Sequence, residues 1–152
     1  LSKCSFFCRT AEDTKRLGRL LGSLLPKGAV VVLEGDLGCG KTEFVRGLAS
    51  ALGISEEEVS SPSFNIVHEY ETFVHVDLYR VGGDLESLGI EEIMEDDRVK
   101  AVEWGEPLKK EFRELVSIVV RCREVEGGRS FEVESYIDGL CERLEELYRG
   151  GN

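Results

Sequence analysis

The run Gly35-Asp36-Leu37-Gly38-Cys39-Gly40-Lys41-Thr42 fits G-x-x-x-x-G-K-[ST] at every position, a spacing that lets backbone wrap around an anion. Gly35, Gly38 and Gly40 permit positive φ and a close approach that a Cβ would block. Successive N–H groups turned inward form a concave nest for phosphate oxygens. Lys41 brings an ammonium to the outer phosphates, and the Thr42 hydroxyl is a candidate ligand for Mg²⁺. A helix beginning at this point adds its positive end beneath the phosphates. Asp36, Leu37, Gly38, Cys39, Gly40, Lys41, Thr42 and Glu43 are therefore the candidate nucleotide-binding run.

Such a loop requires a buried strand before it and a helix after it. Ala29 to Leu33 is a continuous, β-branched apolar run, as in a parallel strand covered on both faces. Phe44, Val45, Leu48, Ala49 and Leu52 then recur at helical spacing up to Gly53. A glycine-rich turn that merely joins strand to helix would explain the glycines but not the Lys-Thr pair.

Two carboxylates lie downstream at predicted strand ends. Thr72 to Asp77 alternates, and an Asp at the carboxyl end of such a strand sits where a Walker-B carboxylate belongs. The plainer alternative is a loop Asp that caps the next segment. His75 shares the face of Asp77 and needs no catalytic role. Val99 to Trp104 is the next strand, with Glu103 beside the sole tryptophan; by itself Glu103 reads equally as surface or as site.

The remaining pattern is scaffold. Lys3 to Cys8 reads as an edge strand, and Thr10 with Asp13 resembles a capping box. Leu17, Leu20, Leu21, Leu24 and Leu25 mark one helical face, ended by Pro26 and Gly28. Strands around Phe64–Glu71 and Thr72–Asp77 meet in a hairpin near Glu71-Thr72. Helical pieces run through Met94, and Gly105-Glu106-Pro107 closes the strand before it. Leu115–Arg123 and Ser130–Glu134 pair around Gly127-Gly128. Ser135 opens a final amphipathic helix stopped by Gly150-Gly151.

The 152 residues suit a single domain spanning 1–152, and 41% hydrophobic with 32% charged residues suits a soluble globular chain. No apolar run approaches the ~20 residues of a membrane span, and Leu1 to Phe7 lacks signal-peptide features. The expected location is the cytoplasm. Five scattered cysteines, Cys4, Cys8, Cys39, Cys122 and Cys141, are expected as reduced thiols. A net charge of −11 argues against direct gripping of tRNA or DNA, which depends on cations; a protein partner fits better.

Taken in order, Glu34–Thr42, Ser61-Pro62-Ser63-Phe64, His75-Val76-Asp77-Leu78-Tyr79-Arg80 and Val102-Glu103-Trp104 resemble the TsaE (YjeE) family. Its members are small P-loop ATPases of bacterial tRNA threonylcarbamoyladenosine synthesis. The resemblance implies an α/β, P-loop NTPase-like three-layer fold, with a mainly parallel central sheet flanked by antiparallel strands and helices. It implies ATP and Mg²⁺ as cofactors, with Thr42 and Glu103 near the metal. Lys41, Asp77 and Glu103 take the catalytic positions, with Trp104 beside the nucleotide and Ser63 in a loop near the γ-phosphate. The family usually has Thr at the position of Ser63, and Gly105 stands where proline is common. The implied partners are TsaD and TsaB, with tRNA reached only through that complex, and low turnover is expected without them. Arg80 is a candidate arginine in cis, and a group supplied by a partner fits equally well. The rivals are a P-loop small-molecule kinase and a nucleotide-dependent interaction module; a GTPase would need an N-K-x-D motif that the chain lacks.

Overall fold

A computed structural model describes residues 1–59, 67–78, 89–104 and 106–150. Seven strands form one sheet: β1 (Ser2–Cys8), β2 (Val30–Gly35), β3 (Val67–Glu69), β4 (Phe73–Asp77), β5 (Val99–Glu103), β6 (Ile118–Val125) and β7 (Gly128–Ser135). Their spatial order is β1-β7-β6-β2-β5-β4-β3. The central four, β6-β2-β5-β4, run parallel. The pairs β1–β7, β6–β7 and β3–β4 are antiparallel. The α/β architecture anticipated from sequence is present, with β1 at an edge.

Among the described residues, five helices flank the sheet: α1 (Ala11–Leu24), α2 (Lys41–Ala51), α3 (Ile90–Glu95), α4 (Glu106–Glu111) and α5 (Leu140–Arg149). Alternation along each strand divides the core in two. Val31 and Leu33 of β2 join Phe73, Ala101, Val120 and Phe131 beneath Leu17 and Leu21 of α1, Phe44 and Leu48 of α2, and Leu144 of α5. Val30, Val32, Val74, Val76 and Val102 point the other way, against Ile90, Met94 and Leu108.

The capping box at the start of α1 is present: Thr10 Oγ1 accepts from Asp13 N, and Asp13 Oδ2 accepts from Thr10 N. Helices α1 and α2 touch through glycine. A Cβ at Gly47 would come within 1.9 Å of Lys15 O, and one at Gly18 within 2.1 Å of Phe44 O. Only glycine permits that approach, and it is what seats the helix following the glycine loop.

Four expectations are corrected. Cys4 and Cys141 form a disulfide, their Cα atoms 5.8 Å apart, whereas all five cysteines were expected as thiols. The antiparallel addition of β1 to β7 brings the first strand beneath α5, so residues 137 apart in sequence meet. Cys8, Cys39 and Cys122 are free and buried. The last helix starts at Leu140 rather than Ser135, which ends β7. The Ser135 side chain instead closes a turn, its Oγ accepting from Ile137 N, and Gly139 at φ 74° opens the helix. Residues 106–111 form α4, where the sequence suggested only a stop. Pro107 lies in the first turn, where no N–H bond is needed. The strand expected from Leu115 begins at Ile118 because Arg113–Leu115 makes a 3₁₀ turn.

Candidate nucleotide site

The loop from Gly35 to Gly40 joins the central strand β2 to α2, at the carboxyl edge of the parallel strands. Its glycines have φ of 140° (Gly35), 80° (Gly38) and 115° (Gly40), values an L-residue adopts only under strain. At Gly35 the constraint is doubled, since a Cβ there would meet Cys122 O at 2.3 Å. At Gly38 nothing lies within 4 Å, so that side of the loop faces open space. Asp36 and Leu37 are exposed on the rim, Leu37 by 69%.

Lys41 is almost fully buried, at 5% exposure. Its Nζ donates to Gly35 O and Asp36 O, the second at 3.1 Å, and lies 4.1 Å from the centroid of the Trp104 ring. Trp104 is the one non-glycine among the described residues with positive φ, 60°. Its amide continues the sheet ladder by donating to Leu33 O. The left-handed turn at this residue is where the chain leaves β5 and the indole meets the loop lysine.

Registers bring the two carboxylates together. Leu33 pairs with Glu103, and Glu103 with Asp77, across adjacent parallel strands. Both lie on the face that α2 covers, in step with Phe73 and Ala101. Glu103 is 4% exposed, and its Oε2 is 2.5 Å from Nε2 of His75, itself buried. The alternation that placed His75 on the face of Asp77 is observed; its link to Glu103 was not legible, because it depends on the β4–β5 register. Glu34 turns to the opposite face, ion-paired with Lys109 at 2.5 Å and Arg121 at 3.1 Å. Glu43 is held by Arg46 and Lys15. Thr42 is half-buried in the first turn of α2. Ser63 and Arg80 lie outside the described residues.

Two features escaped the sequence. The first is Arg129 of β7, whose Nε would lie 3.8 Å from a Cβ on Gly40. It arrives there because Gly128 lets the β6–β7 hairpin press on the backbone: a Cβ at 128 would meet Cys8 O at 2.3 Å. The second is the cysteine contact beneath the loop. Cys122 Sγ donates to Cys39 O at 2.7 Å. The Cys39 thiol is drawn down to about 7, chiefly by a hydrogen bond from the Cys122 thiol, against its own burial and with help from the Lys41 charge. The same contact and burial push Cys122 up.

The donor set suits Mg²⁺. One hydroxyl and carboxylate oxygens are hard ligands, and Mg²⁺ is commonly held by one or two carboxylates together with substrate phosphates and water. Among the described residues, no three His, Cys, Asp or Glu side chains cluster into a metal site of their own.

The family model described as threonylcarbamoyl adenosine biosynthesis protein TsaE matches residues 8–131. The tRNA threonylcarbamoyladenosine biosynthesis protein TsaE of Treponema pallidum is 39% identical over 130 residues, covering 82% of this chain and 96% of that protein. Its Bacillus subtilis counterpart is 37% identical, covering 88% of each. The crystal structure of Bacillus subtilis YdiB superposes with a TM-score of 0.74 at 26% identity, covering 99% of this chain and 97% of that one. A glycine loop, a buried lysine and register-matched strand-end carboxylates thus sit in a chain that belongs to the TsaE family.

Proposed function

We propose that this chain is a single-domain, Mg²⁺-dependent ATPase of the cytoplasm. It supports tRNA threonylcarbamoyladenosine synthesis by binding and resetting a TsaD–TsaB complex. The observation that carries this reading is the convergence of Lys41 with Trp104, next to Glu103, at the mouth of the glycine loop. Family membership supports the pathway.

In this reading the loop amides and Lys41 hold the β- and γ-phosphates. Lys41 exchanges its carbonyl partners, Gly35 and Asp36, for phosphate oxygens, and so stabilises charge on the group being transferred. Bound Mg²⁺ supplies further neutralisation of the phosphate oxygens. Thr42 and Glu103 are the residues that would hold it, directly or through its water. Asp77 positions the attacking water or shares that task with Glu103. Arg129 adds a positive charge beside Gly40. The acidic chain, at net −11, leaves tRNA to the partner proteins. No helix among the described residues is long and apolar enough to cross a membrane.

The test is ATP turnover and tRNA modification by purified TsaD and TsaB, with and without this chain. Stimulation of both by the chain is expected. Absence of Mg-ATP uptake, alone or with those proteins, overturns the reading. A second reading, in which ATP binding only shapes a docking surface, draws on the exposed Leu37 at the loop rim. It wins if Glu103→Gln binds ATP, fails to hydrolyse it and still sustains modification.

A further inference from the structure

We infer that His75 is a positioning residue for Glu103, holding its carboxylate in the one orientation that serves the metal. The inference rests on the ATPase reading for Glu103 but is drawn from contacts in the ligand-free protein.

His75 Nε2 lies 2.5 Å from Glu103 Oε2, and both side chains are about 95% buried, with exposures of 5% and 6%. A carboxylate accepts, so Nε2–H is the donor. The bond crosses between β4 and β5, where His75 pairs with Ala101 and Asp77 with Glu103. The imidazole therefore reaches one pair forward along the sheet to the carboxylate beside the loop.

The ring itself is fixed from two sides. Phe73, two residues earlier on the same face, stacks on it, with centroids 6.3 Å apart and ring planes 21° from parallel. His68 of β3 pairs directly with it across the antiparallel ladder, with centroids also 6.3 Å apart. An imidazole seated in this way has little rotational freedom, and its donor holds Oε2 in place. The second carboxylate oxygen of Glu103 is then presented in a single orientation.

The gain is pre-organisation. A glutamate has three side-chain torsions, and swinging any of them moves its oxygens by more than a metal–oxygen bond tolerates. Partners that orient a ligand from behind commonly matter 10- to 100-fold in metal affinity or activity. His75 is placed to do this without touching nucleotide or metal.

Two substitutions separate this role from packing. His75→Phe keeps a ring of similar size and removes the donor; His75→Gln keeps an N–H near the Nε2 position. Mg²⁺ is titrated calorimetrically into each protein preloaded with a non-hydrolysable ATP analogue. For His75→Phe the expected result is a Mg²⁺ affinity lower by about 10- to 100-fold, with affinity for the metal-free analogue unchanged. His75→Gln is expected to recover most of the loss. In the Glu103→Gln background, His75→Phe should add no further loss, since the two act as one unit.

A separate readout needs no substitution at 75. In the nucleotide-free protein, the ¹⁵N signal of the His75 Nε2 should move on Glu103→Gln. Wild-type Mg²⁺ affinity in a folded His75→Phe, fully additive losses in the double variant, or a His75 signal indifferent to Glu103→Gln would each overturn the inference. Failure of the wild type to take up Mg-nucleotide would sink the ATPase reading instead, while the ¹⁵N comparison still decides whether the two residues are coupled.

Discussion

The Lys41 ammonium lies 4.1 Å from the centroid of the Trp104 ring and donates to two carbonyls of the loop that precedes it. Trp104 is the only tryptophan in the chain, so its fluorescence isolates this contact. Nucleotide-free Lys41→Met should differ from the wild type in emission, because a cation leaves the indole face. Mg-ATP should shift the wild-type emission and leave that of Lys41→Met unchanged. A charge-assisted hydrogen bond from Lys41 to a phosphate oxygen is worth about 1.5–3 kcal/mol, so its loss should lower ATP affinity about 10- to 100-fold. Identical emission in the two proteins would mean the contact is absent in solution.

Asp77 and Glu103 face each other across adjacent strands, and their substitution should separate binding from chemistry. Glu103→Gln and Asp77→Asn should still bind ATP by calorimetry. Phosphate release in the presence of TsaD and TsaB should fall about 10²- to 10⁴-fold for the residue that orients the attacking water. A smaller loss is expected for the residue that only completes the metal's surroundings. Comparing the two assigns the roles. Full activity in both would remove the pair from the mechanism.

The glycine loop was legible because its pattern is local: eight consecutive residues hold the glycines, the lysine and the threonine. Strand β2 was legible for a similar reason, since a parallel strand buried on both faces must be continuously apolar, while β4 showed itself by the alternation along Thr72–Asp77. Arg129 and the His75–Glu103 bond were not. Each depends on strand pairing, β1 with β7 and β4 with β5, and a register cannot be read from one strand at a time. The Cys4–Cys141 bond is not legible either, because the two cysteines meet only once β1 is placed beside β7 and under α5. The onset of α5 is hidden because Ser135 is an N-cap residue type yet spends its hydroxyl on the turn to Ile137.

Gly47 and Gly18 carry a prediction about the scaffold beneath the site. A methyl at Gly47 would sit 1.9 Å from Lys15 O, and one at Gly18 2.1 Å from Phe44 O. Backbone atoms cannot rotate away, so α1 and α2 must separate. Each Gly→Ala change should cost at least about 1–3 kcal/mol by denaturant unfolding, the usual range for overpacking. This holds even though alanine favours an isolated helix. Because α2 begins at Lys41, ATP affinity should fall alongside stability. Unchanged unfolding midpoints would show that the helices do not approach this closely.

The disulfide predicts a thiol count. In denaturant without reductant, three thiols per chain should react, those of Cys8, Cys39 and Cys122, and five after reduction. Closing a loop with sequence separation of 137 restricts the unfolded chain strongly, so Cys4→Ser should lower stability by about 2–5 kcal/mol. Five reactive thiols before reduction would refute the bond.

Asp96 gives the pH dependence of the sheet's far edge. It follows α3, and its carboxylate accepts from Arg98 N at 2.8 Å and from the Arg98 guanidinium at 2.7 Å. The same guanidinium reaches Glu69 and Tyr70 O, so this cluster ties the β3–β4 hairpin to the start of β5. The side-chain hydrogen bond from Arg98, helped by its backbone N–H, holds Asp96 below its ordinary value of 3.8, against the opposing effect of burial. A carboxyl group depressed in the folded state binds fewer protons there than in the unfolded chain. Its stabilisation is therefore complete above 3.8 and is lost as pH falls through the folded value. Acid titration monitored by hydrogen exchange should show β3 and β4 losing protection in that range, ahead of β2 and β6. Asp96→Asn should lower the protection of the hairpin at neutral pH and flatten its acid dependence. An acid profile unaltered by the substitution would place the anchoring of this edge elsewhere.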